Sequence, residues 1–219
     1  NLYLKILERR QDGLHNLESL FYPLPAPRDV LVVSPSDTGQ GLTLSCNWKE
    51  LATQSNILFR TYTLFGEQTG HWPDLAVHLD KQIPMGAGLG GGSSDAAALL
   101  KILVEHGGRA LSSWEVMALA RKIGSDVPFF MANTPAWVEG AGERIAPVRV
   151  YVGNAWLAVV CPNIRVSTRE AYQAWDAARN GPGIRGGWDL TGGLFQLRKA
   201  FCLTGRCLMN SFEGVVCDL

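Results

Sequence analysis

Residues 85–100 read MGAGLGGGSSDAAALL, with glycine at 86, 88, 90, 91 and 92 and a helix-forming run immediately after. Glycine loses more conformational freedom on folding than any other residue, so five within so short a span need a compensating purpose. The alternation of Leu75–Asp80 predicts a strand ahead of the glycines, and the Ala- and Leu-rich stretch Ser93–His106 predicts a helix behind them. A glycine loop between strand and helix forms an anion cradle. Backbone N–H groups point inward, and the helix N-terminus adds a positive partial charge. Glycine alone leaves room for phosphate oxygens to touch those N–H groups. Ser93 and Ser94 are expected to cap the helix and to offer hydroxyls to a phosphate or its Mg²⁺. The lysine of a G-x-x-x-x-G-K-[ST] loop is missing. Gly86, Gly88 and Gly91 keep a G-x-G-x-x-G spacing, but no acidic residue closes a strand about twenty residues later, as a dinucleotide fold requires. A glycine cluster by itself is more often a structural turn; the two serines and the helix turn the reading toward a nucleotide.

The remaining composition narrows the partners. Twenty Lys and Arg balance twenty Asp and Glu, so there is no basic surplus to attract nucleic acid or an anionic membrane. No apolar run approaches a membrane span and no signal-peptide pattern opens the chain, so a cytoplasmic protein is expected. Five cysteines, scattered without a C-x-x-C pair, read as reduced thiols rather than a disulfide framework or a zinc site. The chain begins inside an apolar alternating run, without Met, and stops after NSFEGVVCDL. The expectation is that residues are missing at both ends.

Along the chain the signals are mixed α and β. Strands are expected at Leu2–Leu7, Leu17–Leu24, Asp29–Val33, Ala136–Glu139, Arg144–Pro147 and Ala155–Cys161, with a turn centred on Asp12-Gly13. Helices are expected over Asn56–Phe65, from a Ser112/Glu115 capping box to Gly124, from a Ser167/Glu170 capping box to about Ala178, and over Gly193–Phe201. A composition shift at VRVYVGN suggests a domain boundary, giving residues 1–150 and 151–219. His71, His78 and His106 are unclustered and read as surface. The seven tryptophans read as packing, and Asp95 as a carboxylate favouring the first turn of its helix.

PMGAGLGGGSSDAA (Pro84–Ala97) resembles the second motif of the GHMP kinases, the superfamily of galactokinase, homoserine kinase and mevalonate kinase. NLYLKILERRQDGLHNLESLFYPL at the start, IGSDVPFF (Ile123–Phe130) and PNIRVSTREAY (Pro162–Tyr172) are similar to the branch that phosphorylates a cytidine diphosphate-linked methylerythritol. The resemblance implies an α+β, two-domain GHMP kinase fold. A ribosomal-protein-like N-terminal domain, with an unusual left-handed crossover, would carry ATP. A ferredoxin-like C-terminal domain, incomplete here, would follow, with the active site in a cleft. It implies ATP, with Mg²⁺, as cofactor and a small-molecule acceptor.

Carried onto this chain, the ATP loop spans Pro84, Met85, Gly86, Ala87, Gly88, Leu89, Gly90, Gly91, Gly92, Ser93 and Ser94. Asn56 and Lys81 match positions near the adenine. Asp126, in GSDVP, matches the aspartate that accepts the hydroxyl proton; spacing alone would read it as a turn carboxylate capping local N–H groups. His15 matches the histidine that hydrogen-bonds the cytosine, Tyr172 an aromatic on one face of that base, Asn1 a substrate contact and Thr168 a contact to the diphosphate. Leu14 stands where the family usually has Tyr. The family's catalytic lysine would fall just before Asn1 and its third glycine motif after residue 219. Lys5 is not a substitute, because strand alternation turns it away from the direction of position 1. No metal ligands are expected from the side chains.

Overall fold

The computed structural model describes residues 1–152, 156–159, 161, 168–179, 200–202 and 209–210. Two compact units divide the chain: Asn1–Tyr22 with Thr134–Leu219, and Pro23–Asn133. The boundary expected near residue 150 falls inside the first of them.

In the first unit, β1 (Tyr3–Arg9) and β2 (His15–Phe21) form an antiparallel hairpin with Ile6 opposite Leu17. Its turn lies at the expected place. Gly13 takes a φ of +84°, and Asp12 Oδ1 accepts the Leu14 N–H at 3.1 Å, a local bond that stabilises a tight turn. β6 (Ala136–Gly140) and β7 (Arg144–Pro147) continue the sheet antiparallel, and β10 (Met209–Asn210) adds a parallel edge beside β1. Alternate apolar positions make a small core of Tyr3, Leu20, Trp137 and Val148, with the Tyr3 and Trp137 rings stacked at 5.6 Å. β8 (Arg149–Tyr151) pairs with β9 (Ala200–Cys202), and α5 (Thr168–Arg179) is the unit's helix among the described residues.

Two expectations for this part need correction. The strand anticipated over Ala155–Cys161 is absent from its described residues, where Trp156 is 99% exposed. An apolar alternation becomes a strand only where a neighbour accepts its backbone groups, and among the described residues none pairs with it. The helix anticipated over Gly193–Phe201 lies mostly outside the described residues, and its last positions belong to β9. Ser167, half of the second expected capping box, is also outside them.

The second unit is a three-stranded sheet backed by helices. β3 (Val30–Pro35) runs antiparallel to β5 (Leu75–Asp80), and β4 (Leu42–Cys46) runs parallel to β5 after a crossover through α1 (Ile57–Thr69). α2 (Gly91–His106), α3 (Ser113–Ile123) and α4 (Val127–Ala132) follow. Leu58, Phe65, Val77, Leu79, Leu99, Leu100 and Ile123 meet in one core, each with under 3% of its surface exposed. Each such side chain contributes about 1.5–3 kcal/mol relative to exposure. The capping box is formed as expected: Ser112 Oγ accepts the Glu115 N–H, and Glu115 accepts the Ser112 N–H at 2.9 Å. β4 and α4 were not anticipated.

Candidate functional site

The glycine loop hangs between β5 and α2. Gly86, Gly88 and Gly90 all take φ near +70°, the left-handed region that costs other residues about 1–2 kcal/mol. Around Gly86 and Gly88 a Cβ would meet nothing within 4 Å; around Gly90 it would come within 2.8 Å of the Phe130 ring. Backbone twist thus demands glycine at the first two positions, and packing adds to it at the third. Helix α2 starts at Gly91, two residues earlier than expected, with Gly90 as its N-cap. Ser93 and Ser94 therefore lie inside the first turn and do not cap it. The Ser94 hydroxyl donates to the Gly91 carbonyl at 2.7 Å. The first intrahelical bond runs from Ser94 N–H to Gly90 C=O, so the N–H groups of Gly91, Gly92 and Ser93 precede the ladder. That is the geometry of an anion cradle.

Asp126 is the N-cap residue of α4, yet its side chain makes no cap hydrogen bond. The side chain therefore does not cap the start of α4. Burial pushes its carboxyl above the ordinary range, against the opposing pull of a hydrogen bond with Ser125. A Cβ on Gly92 and one on Gly124 would each lie 3.9 Å from the Ile57 side chain, so the starts of α1 and α2 and the end of α3, two residues before Asp126, meet at one isoleucine. Asn56 is there too, as the N-cap of α1: its Oδ1 accepts the Leu58 N–H at 3.0 Å and its Nδ2 donates to the Leu51 carbonyl at 2.9 Å.

Lys81 lies beneath the loop rather than in it. Its side chain is 5% exposed, and Nζ donates to Asp29 Oδ2 and, at 2.9 Å, to Asp95 Oδ2. Its backbone N–H and C=O are both engaged by the Asn47 side chain. Burial would raise Asp29, but the N–H groups of Ile83 and Gln82 and the Lys81 ammonium outweigh it and hold this carboxyl below its usual range. Asp95 has no such backbone donors, and burial pushes it up to about 7 despite Lys81. The reading of Asp95 as a carboxylate favouring the first turn of its helix is corrected: it is a buried partner of Lys81 in the second turn. Among the described residues no group of three or more His, Cys, Asp or Glu could hold a metal ion.

The first unit gathers different residues. The rings of His15 and Tyr172 stack at 4.9 Å with 16° between their planes, bringing together two side chains chosen for the base of the substrate. His15 Nε2 lies 2.7 Å from Asp176 Oδ1, and Arg9 lies 3.5 Å from the other oxygen of the same carboxylate. Asp176 was missed by the sequence reading; its place four residues after Tyr172, one turn along the same face of α5, was the available signal. Leu14 is 55% exposed beside His15. Asn1 is exposed at the start of the unit, and Thr168 opens α5.

Comparison with known proteins bears on both units. Residues 56–134 match the family model for the GHMP kinases N terminal domain. Over 217 residues the chain is 42% identical to a 4-diphosphocytidyl-2-C-methyl-D-erythritol kinase of Solidesulfovibrio magneticus, covering 99% of this chain and 73% of that protein. The chain belongs to the 4-diphosphocytidyl-2-C-methyl-D-erythritol kinase family. A relative of the same name from Nitratidesulfovibrio vulgaris (strain DP4) is 41% identical over 99% of this chain and 74% of its own length. The crystal structure of a 4-(cytidine 5'-diphospho)-2C-methyl-D-erythritol kinase superposes with a TM-score of 0.72 at 31% identity, over 99% of this chain and 74% of that one. A homoserine kinase from Cytophaga hutchinsonii aligns with a TM-score of 0.59 at 15% identity, covering 90% of this chain and 70% of that one, which shows the fold alone. The fold is therefore the α+β fold of the GHMP kinases. Family membership makes this an ATP-dependent kinase, and no described helix is long and apolar enough to cross a membrane.

Proposed function

We propose that the chain phosphorylates the 2-hydroxyl of 4-diphosphocytidyl-2-C-methyl-D-erythritol with ATP, in the non-mevalonate (MEP) route to isoprenoid precursors. The observation that carries the reading is Asp126: a carboxylate raised by burial and not used as a cap, in the same compact unit as the glycine loop. Bound ATP supplies the phosphoryl group, and an accompanying Mg²⁺ neutralises its charge. The loop Pro84–Ser94 holds the phosphates through backbone N–H groups, and the Ser93 and Ser94 hydroxyls would be the groups to offer to a phosphate or its Mg²⁺. Asp126 accepts the proton of the attacking hydroxyl, a role that a raised carboxyl fills better near neutral pH. Asn56 and Lys81 have polar groups engaged within the protein, so their part toward the nucleotide is to shape its end of the site.

On the substrate side, His15 and Tyr172 take the cytosine, Thr168 touches the diphosphate and Asn1 contacts the substrate. The unit Pro23–Asn133, with the loop and Asp126, serves ATP, and the unit with His15 and Tyr172 serves the substrate. The protein works in the cytoplasm on a small molecule, without nucleic acid. The test is phosphorylation by the intact protein of this substrate, homoserine and mevalonate, each with ATP and Mg²⁺. Transfer to the cytidine-bearing substrate alone is expected; transfer to either of the others in its place would overturn the assignment.

A further inference from the structure

The ion-paired group beneath the loop has a geometry that the reaction scheme does not use. Asp29 Oδ1 accepts the N–H groups of Gln82 at 2.6 Å and Ile83 at 2.8 Å, the two residues that lead into the loop. Asp29 Oδ2 takes the Lys81 ammonium, and the same ammonium holds Asp95 on the second turn of α2. A Cβ on Gly91 would fall 2.9 Å from Lys81 Nζ and 2.9 Å from the Ile83 side chain. The ammonium therefore lies directly against the first residue of the helix. All three side chains are at most 6% exposed.

We propose that Asp29, Lys81 and Asp95 form a buried tie that fixes both ends of the glycine loop, making them positioning residues for the nucleotide phosphates. Asp29 anchors the entry, Asp95 anchors the exit, and Lys81 joins them. Residues 84–90 are then suspended between two fixed points, and their three left-handed glycines need bridge only that set distance. Supporting groups of this kind hold contact groups in the geometry that binding requires. An ammonium buried against a helix start would add an uncompensated charge at the positive end of the dipole; Asp29, held ionised by its donors, balances that charge, and Asp95 accepts a second hydrogen bond from the same Nζ.

This inference rests on the ATP reading of the loop, and its test separates the two. In the intact protein, Asp95→Asn keeps shape and hydrogen bonding but removes one charge, while Lys81→Met with Asp95→Leu replaces the pair by apolar side chains. Equilibrium ATP binding, KM for ATP and KM for the acceptor are measured with hydrogen exchange of the loop amides. The expectation is a rise in KM for ATP of about tenfold in the double variant, the scale seen when a supporting shell is lost. KM for the acceptor should hold, and faster exchange should be confined to residues 85–92, with Leu99–Leu103 still protected. Should the double variant fail to fold, Asp95→Asn decides: a rise in KM for ATP with faster loop exchange supports the tie. Unchanged ATP affinity in a folded variant overturns it. If the unaltered protein itself does not bind ATP, the nucleotide reading fails instead.

Discussion

Asp176 holds His15 from one turn beyond Tyr172, the residue whose ring covers the same imidazole. One helix thus supplies both the face and the edge contact of a single side chain on β2. Asp176→Ala should raise KM for the cytidine-bearing substrate about tenfold, equivalent to one charge-assisted hydrogen bond, and leave KM for ATP unchanged. Asp176→Asn, which can still accept from Nε2, should recover most of the loss. Steady-state kinetics in both substrates would measure this, and an equal change in both KM values would show a general loss of structure.

Asp126→Asn should lower the rate of the chemical step about 10²–10⁴-fold, the usual contribution of a general base. Stability and both affinities should change little, because no cap bond is lost. Single-turnover phosphorylation measures the step directly. In the unaltered protein activity should rise with pH as Asp126 loses its proton, with a midpoint above the ordinary carboxylate value of 3.8 because burial disfavours the charge. That limb should be missing from the Asn variant.

The loop glycines should divide by mechanism. Gly88→Ala places a methyl in open space at a φ of +68°, costing about 1–2 kcal/mol of stability from backbone strain, and should weaken ATP binding. Gly90→Val adds a clash with Phe130 and should lower the melting temperature further. Thermal unfolding beside ATP titration separates the two effects. Equal melting temperatures for the two variants would contradict the packing difference.

Asp95 should leave a mark on stability as a function of pH. Its carboxyl moves from 3.8 when unfolded to about 7 in the folded protein, so the native state binds its proton more tightly. The stabilisation is complete below 3.8 and is lost as pH rises to about 7. Asp29, lowered by its donors, acts in the opposite sense and is common to both proteins. The melting temperature of the unaltered protein relative to Asp95→Asn should therefore fall from pH 4 to 7 and level off above. A flat difference across that range would contradict the assignment.

How much was legible in the sequence depends on how far apart the partners lie. The Ser112/Glu115 box, the Asp12-Gly13 turn, β5 and the glycine loop are local patterns, and each formed where it was read. The start of α2 was misplaced because Gly91 and Gly92 are poor helix formers, held there by their surroundings. α4 is only six residues long with Pro128 at its head, too short to show a period. The Asp29–Lys81–Asp95 group joins residues 52 and 14 positions apart, and nothing in composition couples them. Asp126 was chosen through family resemblance; only the structure could show that its carboxylate caps nothing.

The five-stranded sheet has a further consequence at its β2–β6 rung, where Phe21 sits opposite Ala136. The chain leaves the sheet at one of these residues and returns beside the other, so everything from Pro23 to Asn133 is a single insertion between adjacent strands. The family-model match ends at 134, on that seam. Paired strands lie about 5 Å apart, a gap that a two-residue turn closes. The two splice points are therefore already in register, so the inserted unit joins the sheet at one point, where length can be gained or lost without shifting the strand that carries His15.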